Sequence, residues 1–452
     1  MAFVVAIIFL IIISIVFHFW SPWWLTEIAS NWTSIDDTIL ISFWVTGFVF
    51  VAVNAFLAYS VYKYRYDKNR RANYEPENHK LEIWLTGFTA IGVAAMLTPG
   101  LFVWASFVTV PEDAIEVEVV GQQWQWSFRY PGADGILGTA GSEHVSQENP
   151  LGVNPEDPYG QDDIIVQTKE MHLPLNQPVH LLLRSKDVLH DYTVAQFRVK
   201  MDLVPGTVTY LWLEPTKAGR YDILCEEHCG LGHFVMRGSV VVEEQADYDA
   251  WLATQQTFAQ TQSASIGNAQ AGQANYAVCS ACHGANGEGN VALNAPKLAG
   301  QEGWYIRQQI AYYKTGVRGT NPGDTYGAQM APMAATMAND QILNNVIAYI
   351  DTLPDTAAPE TITGDLANGM DLYQGKCSVC HGEQGQGVWS THAPRLAGMT
   401  DWYLKRQLEY FKNGVRGTHR EDQLGYQMTH MVSALADEQA MDDVVAYINT
   451  LQ

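Results

Sequence analysis

Soft ligands crowd one short stretch of this 452-residue chain, YDILCEEHCGLGHFVM, from Tyr221 to Met236. Cys225, Cys229, His233 and Met236 follow one another at steps of four, four and three residues. Two thiolates on one loop can both bridge a pair of metal ions, and the imidazole and thioether that follow can cap the pair. Thiolate, imidazole and a weak methionine together favour copper over hard cations. A second nitrogen ligand is needed, and His190 in DVLHDYTV is the upstream candidate. A zinc site or a Cys225–Cys229 disulfide are the competing readings, but closed structural zinc sites use Cys and His without methionine. His228 sits between the thiolates and would exceed the ligand count.

The other four cysteines belong to a repeat. CSACHG at Cys279 and CSVCHG at Cys377 stand 98 residues apart, and the same offset links Pro296 to Pro394, Trp304 to Trp402, Met330 to Met428 and Tyr349 to Tyr447. Two copies of one domain stand in tandem. Cys-x-x-Cys-His reads as covalent attachment of a c-type haem. Cys279 with Cys282, and Cys377 with Cys380, would take the haem vinyl groups, and His283 and His381 would ligate the irons. Each copy offers a methionine pair for the distal side, Met330 with Met333 and Met428 with Met431. A His/Met axial set raises the reduction potential and suits an electron relay. A redox dithiol or a zinc knuckle competes poorly with two in-register copies, each closed by a helix-like run, NVIAYIDTL or DVVAYINTL. Both copies resemble small soluble cytochromes c. That resemblance implies Met330 and Met428 as the iron ligands, with Met333 and Met431 left as core residues. His392 and His430 read as surface or supporting residues.

Hydropathy and charge show what must position these groups. Three apolar segments, about 2–20, 38–62 and 83–107, approach the ~20 residues that cross a bilayer as a helix. Lys63, Arg65, Lys68, Arg70, Arg71 and Lys80 all lie between the second and third, which puts that loop in the cytoplasm and everything after Val108 outside. Trp20, Trp23, Trp24 and Trp32 read as interfacial aromatics. The first segment lacks the basic stretch and small-residue cleavage site of a signal peptide, so it reads as a retained helix. Beyond Pro111, AIEVEVVG, PVHLLLRS and GSVVVEE alternate as strands of an antiparallel sandwich. The Gly-, Pro- and Asp-rich insertion over 131–163 reads as a surface loop. Apolar residues at Ile306, Ile310 and Tyr313, and again at Leu404, Leu408 and Phe411, mark helices.

The chain is therefore multidomain: transmembrane α-helices over 1–112, a β-sandwich over 113–250, a linker over 251–270, an all-α domain over 271–354, a linker over 355–366 and a second all-α domain over 367–452. A formal charge of −22 disfavours nucleic acid and favours a basic protein partner, steered at long range. No nucleophile with its base and no phosphate loop stands out. Exported redox centres on a membrane tether point to electron transfer, with the tether raising their effective concentration. Chain order alone puts the C-terminal domain outermost.

CEEHCGLGHFVM, VLHDYTVAQFRVKMDLVPG and GQQWQWSFRY resemble subunit II of haem-copper cytochrome c oxidases, over about Thr38 to Glu244. The resemblance implies a cupredoxin domain with a dinuclear copper centre, CuA. Cys225 and Cys229 would bridge the coppers, His190 and His233 would be terminal ligands, Met236 a weak ligand and Glu227 a ligand through its backbone carbonyl. It also implies a magnesium ion at the Glu227 carboxylate, facing subunit I, and electron input through a surface tryptophan, Trp124, with Trp126 beside it. Glu82 is the candidate for a proton-path glutamate at the inner end of the last helix. Its tryptophan follows two residues later where three is usual, and an interfacial carboxylate is the alternative. The implied protein is the electron-input subunit of a terminal oxidase in a bacterial inner membrane, with its C-terminal domains on the periplasmic face. It would carry electrons from cytochrome c or another redox protein, through two c haems and CuA, to a subunit I that reduces dioxygen to water and pumps protons. A CuA-type nitric oxide reductase and a free-standing membrane-anchored carrier are the alternatives. A quinol-oxidising subunit, which loses the copper ligands, is disfavoured.

Overall fold

The computed structural model describes residues 2–451 except 22–25, 72, 73, 75 and 263–266. Three helices, α1 (Ala2–Trp20), α2 (Thr33–Lys63) and α3 (His79–Val108), are long and apolar enough to cross a membrane. Trp23 and Trp24 lie outside the described residues, and Trp20 is exposed. Trp32 departs from the interfacial role. It is buried, its ring lies 4.8 Å from Trp212 and 5.1 Å from Phe107, and its Nε1–H donates to the Trp212 carbonyl at 3.1 Å. With Arg198 gripping Asp36 at 2.6 and 2.8 Å, it fastens the start of α2 to the sandwich.

Ten strands build two five-stranded sheets: β1 (Ile115–Gln122), β2 (Gln125–Tyr130), β3 (Ile164–Val166), β4 (Glu170–Pro174), β5 (Val179–Ser185), β6 (His190–Val194), β7 (Val199–Leu203), β8 (Thr209–Leu213), β9 (Gly219–Leu224) and β10 (Arg237–Glu243). One sheet has the order β3-β2-β1-β5-β8 and the other β4-β10-β9-β6-β7. The all-antiparallel expectation fails at two places, where β1 pairs with β5 and β4 with β10 in parallel. These partners are far apart in the chain, so a crossover rather than a hairpin joins them. Trp126, Phe128, Tyr130, Met171 and Tyr192 fill the space between the sheets.

The insertion over 131–163 is not a free surface loop. Leu151 and Val153 are buried, and the buried Arg129 holds the segment through Asp163 and the Gly138 carbonyl, both at 2.7 Å, while also bonding Glu118 at 2.8 Å. The first part of the segment expected as a linker is also docked. Helices α4 (Gln245–Leu252) and α5 (Phe258–Gln262) lie on the sandwich, Trp251 stacks on His172 at 4.0 Å, and the buried Phe258 donates its N–H to the Asp163 carbonyl at 2.7 Å.

Two helical domains follow. The first holds α6 (Ala269–His283), α7 (Gly303–Thr315), α8 (Thr325–Ala335) and α9 (Asp340–Ile350). The second holds α10 (Leu366–Leu372), a π turn over Tyr373–Cys377, α11 (Ser378–His381), α12 (Asp401–Lys412), α13 (Gln423–Ser433) and α14 (Glu438–Asn449). In each, the first and last helices cross so closely that only glycine fits. A Cβ on Gly272 would stand 1.9 Å from the Asn345 carbonyl oxygen, and one on Gly369 2.0 Å from that of Asp443. Tyr276 and Tyr373 donate their hydroxyls to Gly284 and Gly382. These first-helix equivalents are spaced one residue closer than the cysteines that follow them. The extra residue between Tyr373 and Cys377 is absorbed by the π turn, as a single insertion in a helix usually is. The segment 355–366 is pinned too, with Asp355 bonded to Lys297 at 2.7 Å and Arg395 at 2.6 Å, and the Thr361 hydroxyl bonded to Asp401 at 2.8 Å.

Candidate copper and haem sites

The loop between β9 and β10 carries Cys225, Cys229, His233 and Met236, and the first residue of β6 adds His190 from the neighbouring strand. Cys229 Sγ is the hub, 3.7 Å from Cys225 Sγ, 3.5 Å from His233 Nδ1 and 3.7 Å from Met236 Sδ. Cys225 Sγ lies 4.0 Å from His190 Nδ1 and 3.2 Å from the Glu227 carbonyl oxygen. The two sulfurs are far beyond the ~2.05 Å of a disulfide, and both cysteines are free and buried. The Cys229 thiol donates to Cys225, which lowers the pKa of Cys225 and raises its own. Two imidazoles, one at each of two paired thiols, with a carbonyl beside Cys225, fit a copper pair, and the methionine sets them apart from structural zinc ligands. His228 is exposed, its ring 5.6 Å from that of His233.

Sequence reading missed the groups that aim these ligands. Asp187 Oδ1 takes the Nε2–H of His190 at 2.8 Å, turning Nδ1 toward Cys225, while Asp187 Oδ2 accepts the Gln123 N–H at 2.7 Å. Gln123 Nε2 and Trp124 Nε1 both donate to the Cys229 carbonyl, at 2.8 and 3.0 Å. A carboxylate three residues before a candidate histidine ligand was the available signal. Trp126 sits in the core, its ring 6.4 Å from that of His190. Trp124 corrects an expectation: it is only 4 % exposed, not a surface residue. Glu82 stands in the first turn of α3, exposed and 3.4 Å from His79.

In each helical domain the histidine of Cys-x-x-Cys-His is buried. His283 Nδ1 meets the Pro296 carbonyl and His381 Nδ1 that of Pro394, both at 2.7 Å, leaving Nε2 free to bind a metal. Burial lowers the pKa of both rings and keeps them neutral, as a ligand must be. One cavity of about 380 Å³ touches both cysteine pairs, both histidines and all four methionines. Met330 and Met428 pack against the cores of their domains. Met333 lines the same cavity and is 38 % exposed. Arg318 and Arg416, in register, line the same cavity. Both are buried with Nε unbonded, and neither meets a carboxylate within 4.0 Å among the described residues. Buried guanidinium groups without an anion fit a porphyrin that brings its own carboxylates.

The two kinds of site meet. The C-terminal domain seats on the copper loop, against the expectation that it lies outermost. Gln427 of α13 donates to the Trp124 carbonyl at 2.5 Å, His430 packs edge-on against Phe234 at 5.6 Å, and His392 bonds Gln125 at 2.8 Å. Ser390 accepts from Gln122, and Lys186 lies over the Trp389 ring. His392 is therefore an interface residue, with its pKa brought down to about 4 by burial first and by Lys186 second.

Residues 115–244 match the family described as cytochrome c oxidase subunit II, periplasmic domain, and residues 269–354 and 366–452 each match cytochrome c. The alternative cytochrome c oxidase subunit 2 of Bradyrhizobium diazoefficiens is 57 % identical over 257 residues, 93 % of its length and 56 % of this chain. The chain belongs to the cytochrome c oxidase subunit II family. The subunit 2 of Cereibacter sphaeroides is 29 % identical over 46 % of this chain and 74 % of its own. Cytochrome c4 of Azotobacter vinelandii is 36 % identical over 33 % of this chain and 75 % of its own. This family member thus joins an outward-facing oxidase domain, on a membrane anchor, to two cytochrome c domains, an assembly suited to electron transport with copper and haem c.

Proposed function

We propose that this chain is the electron-input subunit of a proton-pumping terminal oxidase in a bacterial inner membrane. When bound, two covalent c haems and a dinuclear CuA would supply one-electron chemistry between an external donor, such as cytochrome c, and a subunit I that reduces dioxygen to water. Cys225 and Cys229 would bridge the coppers, with His190, His233, Met236 and the Glu227 carbonyl completing the set. The Glu227 carboxylate would hold magnesium toward subunit I. His283 with Met330, and His381 with Met428, would hold the irons, and Glu82 would stand at a proton path.

The convergence of two imidazoles and a thioether on the Cys225–Cys229 thiol pair, with 3.5–4.0 Å between neighbouring donor atoms, carries the proposal. Pre-set ligands let a metal change charge with little movement of its frame, which favours fast transfer. Purification in mild detergent tests it. The expected result is co-purification with a haem-bearing subunit I, cyanide-sensitive oxygen uptake, and an electron-spin signal shared by two coppers. A localised single-copper signal, or a chain that purifies alone with full redox function, would refute it.

A further inference from the structure

The turn joining α2 to α3 concentrates positive charge in a chain whose formal charge is −22. Residues 61–71 read VYKYRYDKNRR, five basic residues against one acidic. The other ends of the helices fix its height. Trp32 and Arg198 fasten the start of α2 to the sandwich. At the end of α3, Trp212 Nε1 donates to the Ser106 carbonyl at 3.0 Å and the Tyr210 hydroxyl to that of Val108 at 3.2 Å. With 31 residues α2 spans about 46 Å, and with 30 residues α3 spans about 45 Å. A bilayer measures roughly 40–45 Å with its headgroups included. Lys63, the last residue of α2, and the turn after it therefore stand in the headgroup layer of the leaflet opposite the sandwich.

A basic turn at this end orients the helices, but orientation does not require what surrounds the charges. Tyrosine alternates with cations through Tyr62, Lys63, Tyr64, Arg65 and Tyr66, and all five are exposed. Lys63 Nζ lies 5.2 Å from the centre of the Tyr59 ring and 5.6 Å from that of Tyr64. The Arg65 guanidinium lies 4.9 Å from the Tyr62 ring and that of Arg70 5.8 Å from Tyr64. An aromatic face steadies a cation without cancelling its charge. Arg70 folds back, its Nη2 donating to the Lys63 and Arg65 carbonyls at 2.8 and 2.9 Å, which gathers like charges instead of spreading them. Asp67, the one acid in the stretch, accepts the Asn69 N–H with Oδ1 at 2.9 Å. Among the described residues, Lys68, Arg70 and Arg71 meet no carboxylate within 4.0 Å. Cations gathered at headgroup height and held by tyrosines rather than acids call for an anion that the bilayer supplies.

We infer that this turn binds the headgroup phosphate of an anionic phospholipid, of the phosphatidylglycerol class, in the leaflet opposite the sandwich. Lys68, Arg70 and Arg71 hold the phosphate, and the tyrosine rings lie at the membrane–water boundary, where amphipathic aromatics gather. The inference needs only that α2 and α3 cross a membrane, and it stands whether or not the chain feeds electrons to an oxidase. Phosphatidylcholine carries the same phosphate together with its own cation, which makes it the matched control.

Native mass spectrometry of the whole detergent-purified assembly tests this, with phosphatidylglycerol and phosphatidylcholine of equal chain length as probes. The wild type should bind its first phosphatidylglycerol more tightly than its first phosphatidylcholine. Lys68→Gln/Arg71→Gln should raise the phosphatidylglycerol Kd roughly 30-fold, about fivefold per basic residue removed at a membrane surface, and leave the phosphatidylcholine Kd unchanged. Lys68→Gln alone, with Lys63, Arg65, Arg70, Arg71 and Lys80 left to orient the helices, should raise it about fivefold. Lys68→Arg/Arg71→Lys keeps the charge and should keep the wild-type Kd. Glycerol phosphate in solution should not displace the lipid. Equal wild-type affinity for the two lipids, an unchanged phosphatidylglycerol Kd in the double glutamine variant, an equal loss for both lipids, or displacement by glycerol phosphate would each overturn the inference. So would a double glutamine variant that sheds a protein subunit yet keeps its lipid, which would give the turn to an acidic protein.

Discussion

His392 makes the contact between the C-terminal haem domain and the copper loop sensitive to acid. Its pKa falls from 6.5 to about 4 because burial penalises the charged ring and Lys186 repels it. Trp389, Trp304 and Gln125 surround it. The undocked ring binds a proton more readily than the docked one, so docking is complete above about pH 6.5 and weakens as the pH falls toward 4. From about pH 7.5 to about pH 4.5 the loss is at most about 2–3 kcal/mol, roughly a hundredfold in the docking equilibrium. It is an upper bound because Trp389 and Trp304 shade the ring from within the tandem. Hydrogen exchange reads this directly. After correction for the intrinsic effect of pH, amides of Gln423–Ser433 and 388–392 should lose protection on acidification. His392→Asn should flatten the response, since Asn294, its equivalent in the first domain, holds the same left-handed backbone (φ 55° against 51°). If His392→Asn keeps the wild-type pH dependence, the reasoning fails.

Three further outcomes follow from the sites. Cys229→Ser removes the hub of the copper ligands, so the two-copper spin signal should vanish while pyridine haemochromogen spectra still count two haems. Asp187→Asn frees His190 to rotate and should cut copper affinity by roughly 10–100-fold, measured by competition with a chelator. Met428→Ala should lower the potential of one haem only in a spectroelectrochemical titration, and an unchanged potential would point to Met431.

Local chemistry was legible in the sequence and long-range placement was not. The Cys225–Met236 spacing fixes a loop, and a loop this short can turn its donors to only one centre. Cys-x-x-Cys-His reads as directly, because its ligand and its attachment points are neighbours. Trp124 was misread because its burial depends on contacts with residues far along the chain. The parallel pairs β1–β5 and β4–β10 escaped notice because alternation gives a strand's face but not its partner. Asp187, His392, Arg318 and Arg416 look like ordinary polar residues until the fold sets Asp187 against His190 and His392 against Gln125, and buries the two arginines. The polar composition of 251–270 suggested a linker, yet Trp251 and Phe258 anchor its first half.

Because the second helical domain is seated on the sandwich at Gln427 and His392, and the stretch joining the two helical domains is held at Asp355 and Thr361, the helical pair is built as a strut rather than a swinging arm. Spacing between redox stations is then fixed by masonry, and lengthening a connector brings no advantage. Splicing a flexible spacer between Leu252 and Phe258 would trade a rigid circuit for a search, and turnover would begin to depend on solvent viscosity.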